Sequence, residues 1–133
     1  MDSLIIEPTE DSPSVVFDLK AKQFIISGES RPENARKFYT PVIDWLVEFE
    51  KIVFQQKNEL QDTTPFVFQF KLEYFNSATS QYFMDLLLIL KEIIDKGYNI
   101  VIEWNYEKRD DDMLEAGKVF ADVLALEFSF VEY

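Results

Sequence analysis

Three hydroxyl side chains, Ser77, Thr79 and Ser80, follow Asn76 in the run Tyr74-Phe75-Asn76-Ser77-Ala78-Thr79-Ser80-Gln81. The residues before this run alternate as a strand does, and those after it repeat as a helix does. The hydroxyls therefore sit at a helix start, where free backbone N–H groups and the positive end of the dipole can receive an anion. A phosphoryl group on one of them would add about −1.5 to −2 charges and three strong acceptors, enough for a two-state surface. A plainer role is also available, because Asn76 or Ser77 as the N-cap is worth about 1 kcal/mol by itself.

The second group with chemical potential is Asp110-Asp111-Asp112 with Glu115. Carboxylates so close together can ligate a hard cation such as Mg²⁺ or Ca²⁺, and on that reading the chain would be a metal-dependent phosphohydrolase. The spacing lacks the alternation and the glycine of an EF-hand. One Asp as a helix cap, with its neighbours near the positive dipole end, accounts for the same residues, as does a partner-contact surface.

What is missing excludes more than what is present proves. There is no His, so the usual general base, the Ser-His-Asp arrangement and the commonest zinc ligand are all absent. There is no Cys, which removes thiolate chemistry and disulfides. The only glycines are Gly28, Gly97 and Gly117, too few and too far apart for a P-loop or a GxGxxG turn. Nothing calls for a cofactor.

Twenty-five acids against thirteen bases leave a net charge of −12, a field that repels phosphate backbones and anionic lipid. Nucleic acid is a poor partner and another protein a better one. The first residues lack the basic region and apolar core of a signal peptide, and no stretch reaches the roughly 18 apolar residues of a membrane span. A cytoplasmic protein with no membrane insertion is expected.

The elements that must position these residues follow from periodicity. Residues 1–14 carry two prolines and several acids and read as an N-terminal arm, leaving 15–133 as a single domain. Two short β-favouring runs, 15–19 and 24–27, suggest a hairpin ending at Gly28, with Gly28 to Pro32 as a turn. Phe38, Val42, Trp45, Phe49 and Ile52 then recur at helical spacing, with Pro32 and Glu33 suited to a first turn. Pro41 interrupts this pattern, so either the helix kinks or it starts near Thr40, with Thr40 as the N-cap.

A polar connection over 58–65 leads to strict alternation from Phe66 to Tyr74, the clearest strand in the chain. Phe83, Leu86, Leu87, Leu90 and Ile94 mark a helix from Asn76 to Lys96 that closes at Gly97. Residues 100–107 alternate again, Asp110 to Asp112 open a short helix through Val123, and residues 126–133 make a last strand. Trp45 and Trp104 fall on apolar faces and read as core. The order ββαβαβαβ requires right-handed crossovers, hence an α/β fold with a mixed sheet and helices packed on it.

Together these stretches resemble the SiaC family of bacterial regulatory phosphoproteins, whose members have a STAS-like fold akin to anti-sigma-factor antagonists. The carrying residues are Gly28-Glu29-Ser30-Arg31-Pro32-Glu33-Asn34, Val42-Ile43-Asp44-Trp45-Leu46, Tyr74-Phe75-Asn76-Ser77, Trp104-Asn105-Tyr106 and Asp110 through Gly117, from about Ser12 onward. The resemblance implies a non-enzymatic partner switch. A dedicated kinase phosphorylates the hydroxyl after the junction Asn, a metal-dependent phosphatase reverses it, and the unmodified form engages an effector. The family's example of an effector is a membrane-anchored diguanylate cyclase in c-di-GMP and biofilm signalling. Ser77 is the matching hydroxyl; Ala78 interrupts the family's run of hydroxyls, leaving Thr79 as the reserve. Asn76, Ser77, Ala78, Thr79 and Ser80 with Glu33 and Asn34 are the expected partner-binding residues, and the alternative is an interaction domain that is never modified.

Overall fold

The computed structural model describes residues 1–56 and 64–133. The expected polar connection over 58–65 therefore lies, for 58–63, outside the described residues. Six strands form one sheet in sequence order: β1 (Leu4–Ile6), β2 (Ser14–Asp18), β3 (Gln23–Ser30), β4 (Phe66–Phe75), β5 (Ile100–Tyr106) and β6 (Phe128–Glu132). The helices α1 (Ala35–Gln55), α2 (Ser77–Asp95) and α3 (Asp111–Leu124) connect the last four strands. The strands β1, β2 and β3 pair antiparallel, and β3 through β6 pair parallel. The mixed α/β sheet expected from the pattern is present, with one more strand than expected.

That strand lies in the segment expected to be an arm. Leu4, Ile5 and Ile6 pair with Phe17, Val16 and Val15, and the Trp45 indole donates to the Asp2 carbonyl at 2.9 Å. An edge strand of three residues gives too short an alternation to be recognised from sequence. The β3 strand also continues past Gly28 to Ser30, through a register shift between Gly28 and Glu29. Gly28 has φ 105°, a conformation open to glycine, so it marks a bulge in the strand and not its end.

The α1 helix runs through Pro41, and its cap is Asn34, whose side chain accepts from the Lys37 amide at 3.0 Å. Thr40 is therefore not the cap; its hydroxyl donates to the Arg36 carbonyl at 2.6 Å. Pro32 and Glu33 precede the helix. Pro41 lies on the exposed side, where solvent can satisfy the carbonyl its ring leaves without a donor.

Three successive right-handed crossovers advance in one direction across the sheet, which puts all three helices on one face. On that face Phe17, Phe24, Ile26, Phe66, Phe68, Phe70, Leu72, Ile102 and Trp104 are buried against Val42, Leu46, Phe49, Phe83, Leu87 and Phe120. The same crossovers bring the ends of β3, β4 and β5, and the starts of the three helices, to one edge of the fold. Trp104 is wholly buried, its indole bonded to the Met113 carbonyl at 2.9 Å. It passes so close to Gly117 that a Cβ there would stand 2.5 Å from its ring. A Gly117→Ala variant should lose about 1–3 kcal/mol by overpacking, read as a lower urea midpoint.

At the other end of the α1 and α2 contact, Glu50 has a buried Oε2 with no hydrogen-bond partner. Burial raises its pKa to about 6, assisted by the neighbouring Glu92 and opposed by Lys96. A carboxyl raised on folding binds its proton more tightly in the folded chain, so its favourable contribution is present below the unfolded value and lost as pH climbs past about 6. Glu50→Gln should therefore gain stability over the parent between pH 4 and pH 8. The gain should be less than about 1 kcal/mol because solvent screens a partly exposed pair, and urea midpoints at the two pH values measure it.

Candidate functional site

Each parallel strand hands over to its helix through an Asx cap. Asn34 follows β3, Asn76 follows β4 and Asp110 follows β5, each accepting from the amide three residues on. At the second junction Asn76 is extended (φ −90°, ψ 177°) and its side chain accepts from the Thr79 amide at 2.9 Å, so Asn76 and not Ser77 is the cap. Ser77, Ala78 and Thr79 are then the first three helical positions.

Helical rotation separates the hydroxyls. Ser77 is exposed, with Ala78 beside it, Ser80 is half-buried and Thr79 is wholly buried. Thr79 lies one turn before Phe83 on the core stripe of α2, which turns it inward. Of the two residues that the pattern singled out for modification, only Ser77 presents its hydroxyl to solvent. Thr79, also expected among the partner-binding residues, is 0% exposed on the inner face of α2.

Thr79 instead joins a cluster that sequence reasoning missed. Its hydroxyl donates to the Ser30 carbonyl at 3.1 Å and lies 2.8 Å from the Ser30 hydroxyl, which is 2.6 Å from the Tyr39 hydroxyl. Each hydroxyl has a single proton to give. Because Thr79 spends its own on the carbonyl, Ser30 must donate to Thr79 and Tyr39 to Ser30, a chain with one direction. Burial pushes the Tyr39 phenol up to about 12, against the lowering effect of the neighbouring Ser30 and Thr79 hydroxyls, so it stays protonated. The signal available in the sequence was Tyr39 on the buried stripe of α1, since a buried phenol needs a partner.

The Ser30 carbonyl also accepts from the Asn76 amide at 3.0 Å, and Ser30 pairs with Phe75 in the sheet. Ser30 thus ties together the ends of β3 and β4 and the first turns of α1 and α2. Glu33 and Asn34 are exposed at the start of α1 on this same edge.

The acidic group has the plainer role. The Asp110 side chain accepts from the Met113 amide at 3.1 Å, while Asp111 and Asp112 occupy the first turn, exposed, as does Glu115 further along. Among the described residues no three carboxylates are arranged to hold a metal ion, and no helix is long and apolar enough to cross a membrane.

Comparison with known proteins gives a match of residues 6–133 to the family described as SiaC family regulatory phosphoprotein. An uncharacterised protein of Pseudomonas aeruginosa (strain UCBPP-PA14) is 27% identical over 130 residues, spanning 97% of this chain and 95% of that one. The fold is similar to the crystal structure of apo-SiaC from Pseudomonas aeruginosa, with a TM-score of 0.79, 26% identity, and coverage of 99% of this chain and 98% of that one. It is similar too to a chain in the crystal structure of diguanylate cyclase SiaD in complex with its activator SiaC from the same species. There the TM-score is 0.82, the identity 25%, and the coverage 98% and 99%.

The cap geometry has a direct test. Asn76→Ala should cost about 1 kcal/mol and Asn76→Asp much less, because only the former lacks a side-chain acceptor for the Thr79 amide. Urea melts of the two variants beside the parent check the order.

Proposed function

The chain belongs to the SiaC family of regulatory phosphoproteins, and from that premise we propose that it is a non-enzymatic switch gated by phosphorylation of Ser77. The observation that carries this reading is the division of labour at the start of α2: Ser77 points out, while its neighbour Thr79 is consumed by the buried chain. A kinase needs a hydroxyl it can reach. A phosphoryl group at the first helical position is favoured by the dipole and the backbone amides there.

In this proposal the unmodified form binds an effector through Ser77, Ala78 and Ser80 together with Asn76, Glu33 and Asn34, all on one edge. SiaC in the similar structure is the activator of a diguanylate cyclase, SiaD, and an effector of that class is the proposed partner here. Adding about two negative charges to the middle of the contact would require the phosphate to be desolvated against a surface that fitted a small hydroxyl. A protein kinase and a metal-dependent phosphatase acting on Ser77 complete the cycle. The chain itself contributes no catalytic group to this cycle.

The test compares the unmodified protein with one carrying phosphoserine at position 77, each used to capture partners from its native cells. The unmodified protein should retain a diguanylate cyclase and raise its activity, and the phosphorylated one should bind at least about tenfold more weakly, ~1.4 kcal/mol. Equal retention of the cyclase by both would contradict the switch and favour an interaction domain indifferent to modification.

A further inference from the structure

Ser77 and the Glu33 and Asn34 pair stand at the starts of different helices, yet both are anchored through Ser30. Starting from α2, the Asn76 amide and the Thr79 hydroxyl both bond the Ser30 carbonyl, at 3.0 and 3.1 Å. Starting from α1, the Tyr39 hydroxyl bonds the Ser30 hydroxyl at 2.6 Å. Residues 31–38 are therefore held at one end by Ser30 and at the other by Tyr39, with Glu33 and Asn34 between the two anchors.

We propose that this hydroxyl chain couples the two helix starts, so that a phosphoryl group on Ser77 also changes the surface at Glu33 and Asn34. The proposal rests on the reading of Ser77 as the modified residue. Three observations support it. Ser30, Tyr39 and Thr79 are each 0% exposed, so water cannot replace a lost partner and any shift must be taken up by the other members. The chain has one direction, from Tyr39 through Ser30 to Thr79 and the Ser30 carbonyl, so that displacing Thr79 leaves the Ser30 hydroxyl without its acceptor. The Thr79 amide is held by Asn76 Oδ1 at 2.9 Å, two residues from the Ser77 hydroxyl. A phosphoryl group there brings three stronger acceptors that compete for that amide.

Ser30, Tyr39 and Thr79 are positioning residues in this account, since none of them is exposed to touch a partner. Their role predicts a distant response that ordinary packing would not produce. Tyr39→Phe removes one hydroxyl and leaves a ring to stack on Tyr82, 5.5 Å away, and to meet Phe83. Thr79→Ser keeps the donor, and Thr79→Val removes it.

The experiment is amide NMR with hydrogen exchange on the full chain, unmodified and with phosphoserine at 77, in the parent and in each variant. In the parent, phosphorylation should shift the signals of Glu33, Asn34 and Lys37 and change exchange there about tenfold, the equivalent of losing one dry hydrogen bond. In Tyr39→Phe and Thr79→Val the response of α1 should fall below about twofold on the same scale, while residues 78–80 still respond. Thr79→Ser should behave as the parent does. If Tyr39→Phe loses its dispersed spectrum, Thr79→Val decides alone.

A parent response confined to residues 76–80, or an α1 response unchanged in the variants, overturns the coupling and leaves the switch at Ser77 standing. Phosphoserine that leaves effector capture unchanged overturns the switch instead, and the amide response still measures the coupling by itself.

Discussion

Everything at the candidate site depends on Ser30, whose carbonyl accepts from the Asn76 amide and the Thr79 hydroxyl and whose own hydroxyl bridges to Tyr39. A polar cluster this dry is stabilising only while every member is paired, and it is costly once one is not. That constraint explains the inward turn of Thr79. With Asn76 capping the helix and Thr79 committed beneath it, the first helical residue is left at the surface with no structural duty. The exposure of Ser77 is the counterpart of the fixity of Thr79.

The topology makes the site possible. Parallel strands with all crossovers advancing one way align β3, β4 and β5 so that their helix starts share one edge, each capped by an Asx side chain. An apolar core rich in Phe holds these strands from one side. Phe24 stacks on Phe68 with centroids 4.4 Å apart, and Phe75 reaches from the end of β4 to Phe83, Trp104 and Phe120. The junction residues are therefore mounted on a rigid base.

How much of this was legible in the sequence depended on the length of each pattern. The alternation from Phe66 and the helical stripe through Leu90 are long, and both elements stand where the pattern put them. The strand Leu4–Ile6 was missed because three residues carry too little period, and Gly28 was read as a strand end because a bulge and a turn use the same residue. Asn34 proved a stronger start signal than Thr40, despite Pro41, because its side chain caps the helix and Pro41 lies on the solvent side, where water can satisfy the carbonyl left without a donor. At the site, local spacing located the hydroxyls at a helix start. It did not pair Thr79 with Ser30, 49 residues away, since that contact exists only once β3 and β4 lie side by side.

The account stands most directly on which hydroxyl carries phosphate in the cell. Peptide mapping by mass spectrometry of the protein from its native cells, with and without phosphatase treatment, answers this. The account predicts a single removable phosphoryl group on Ser77 and none on Thr79. Phosphate on Thr79, which would require the buried cluster to open, or no phosphate in any growth condition, would contradict it.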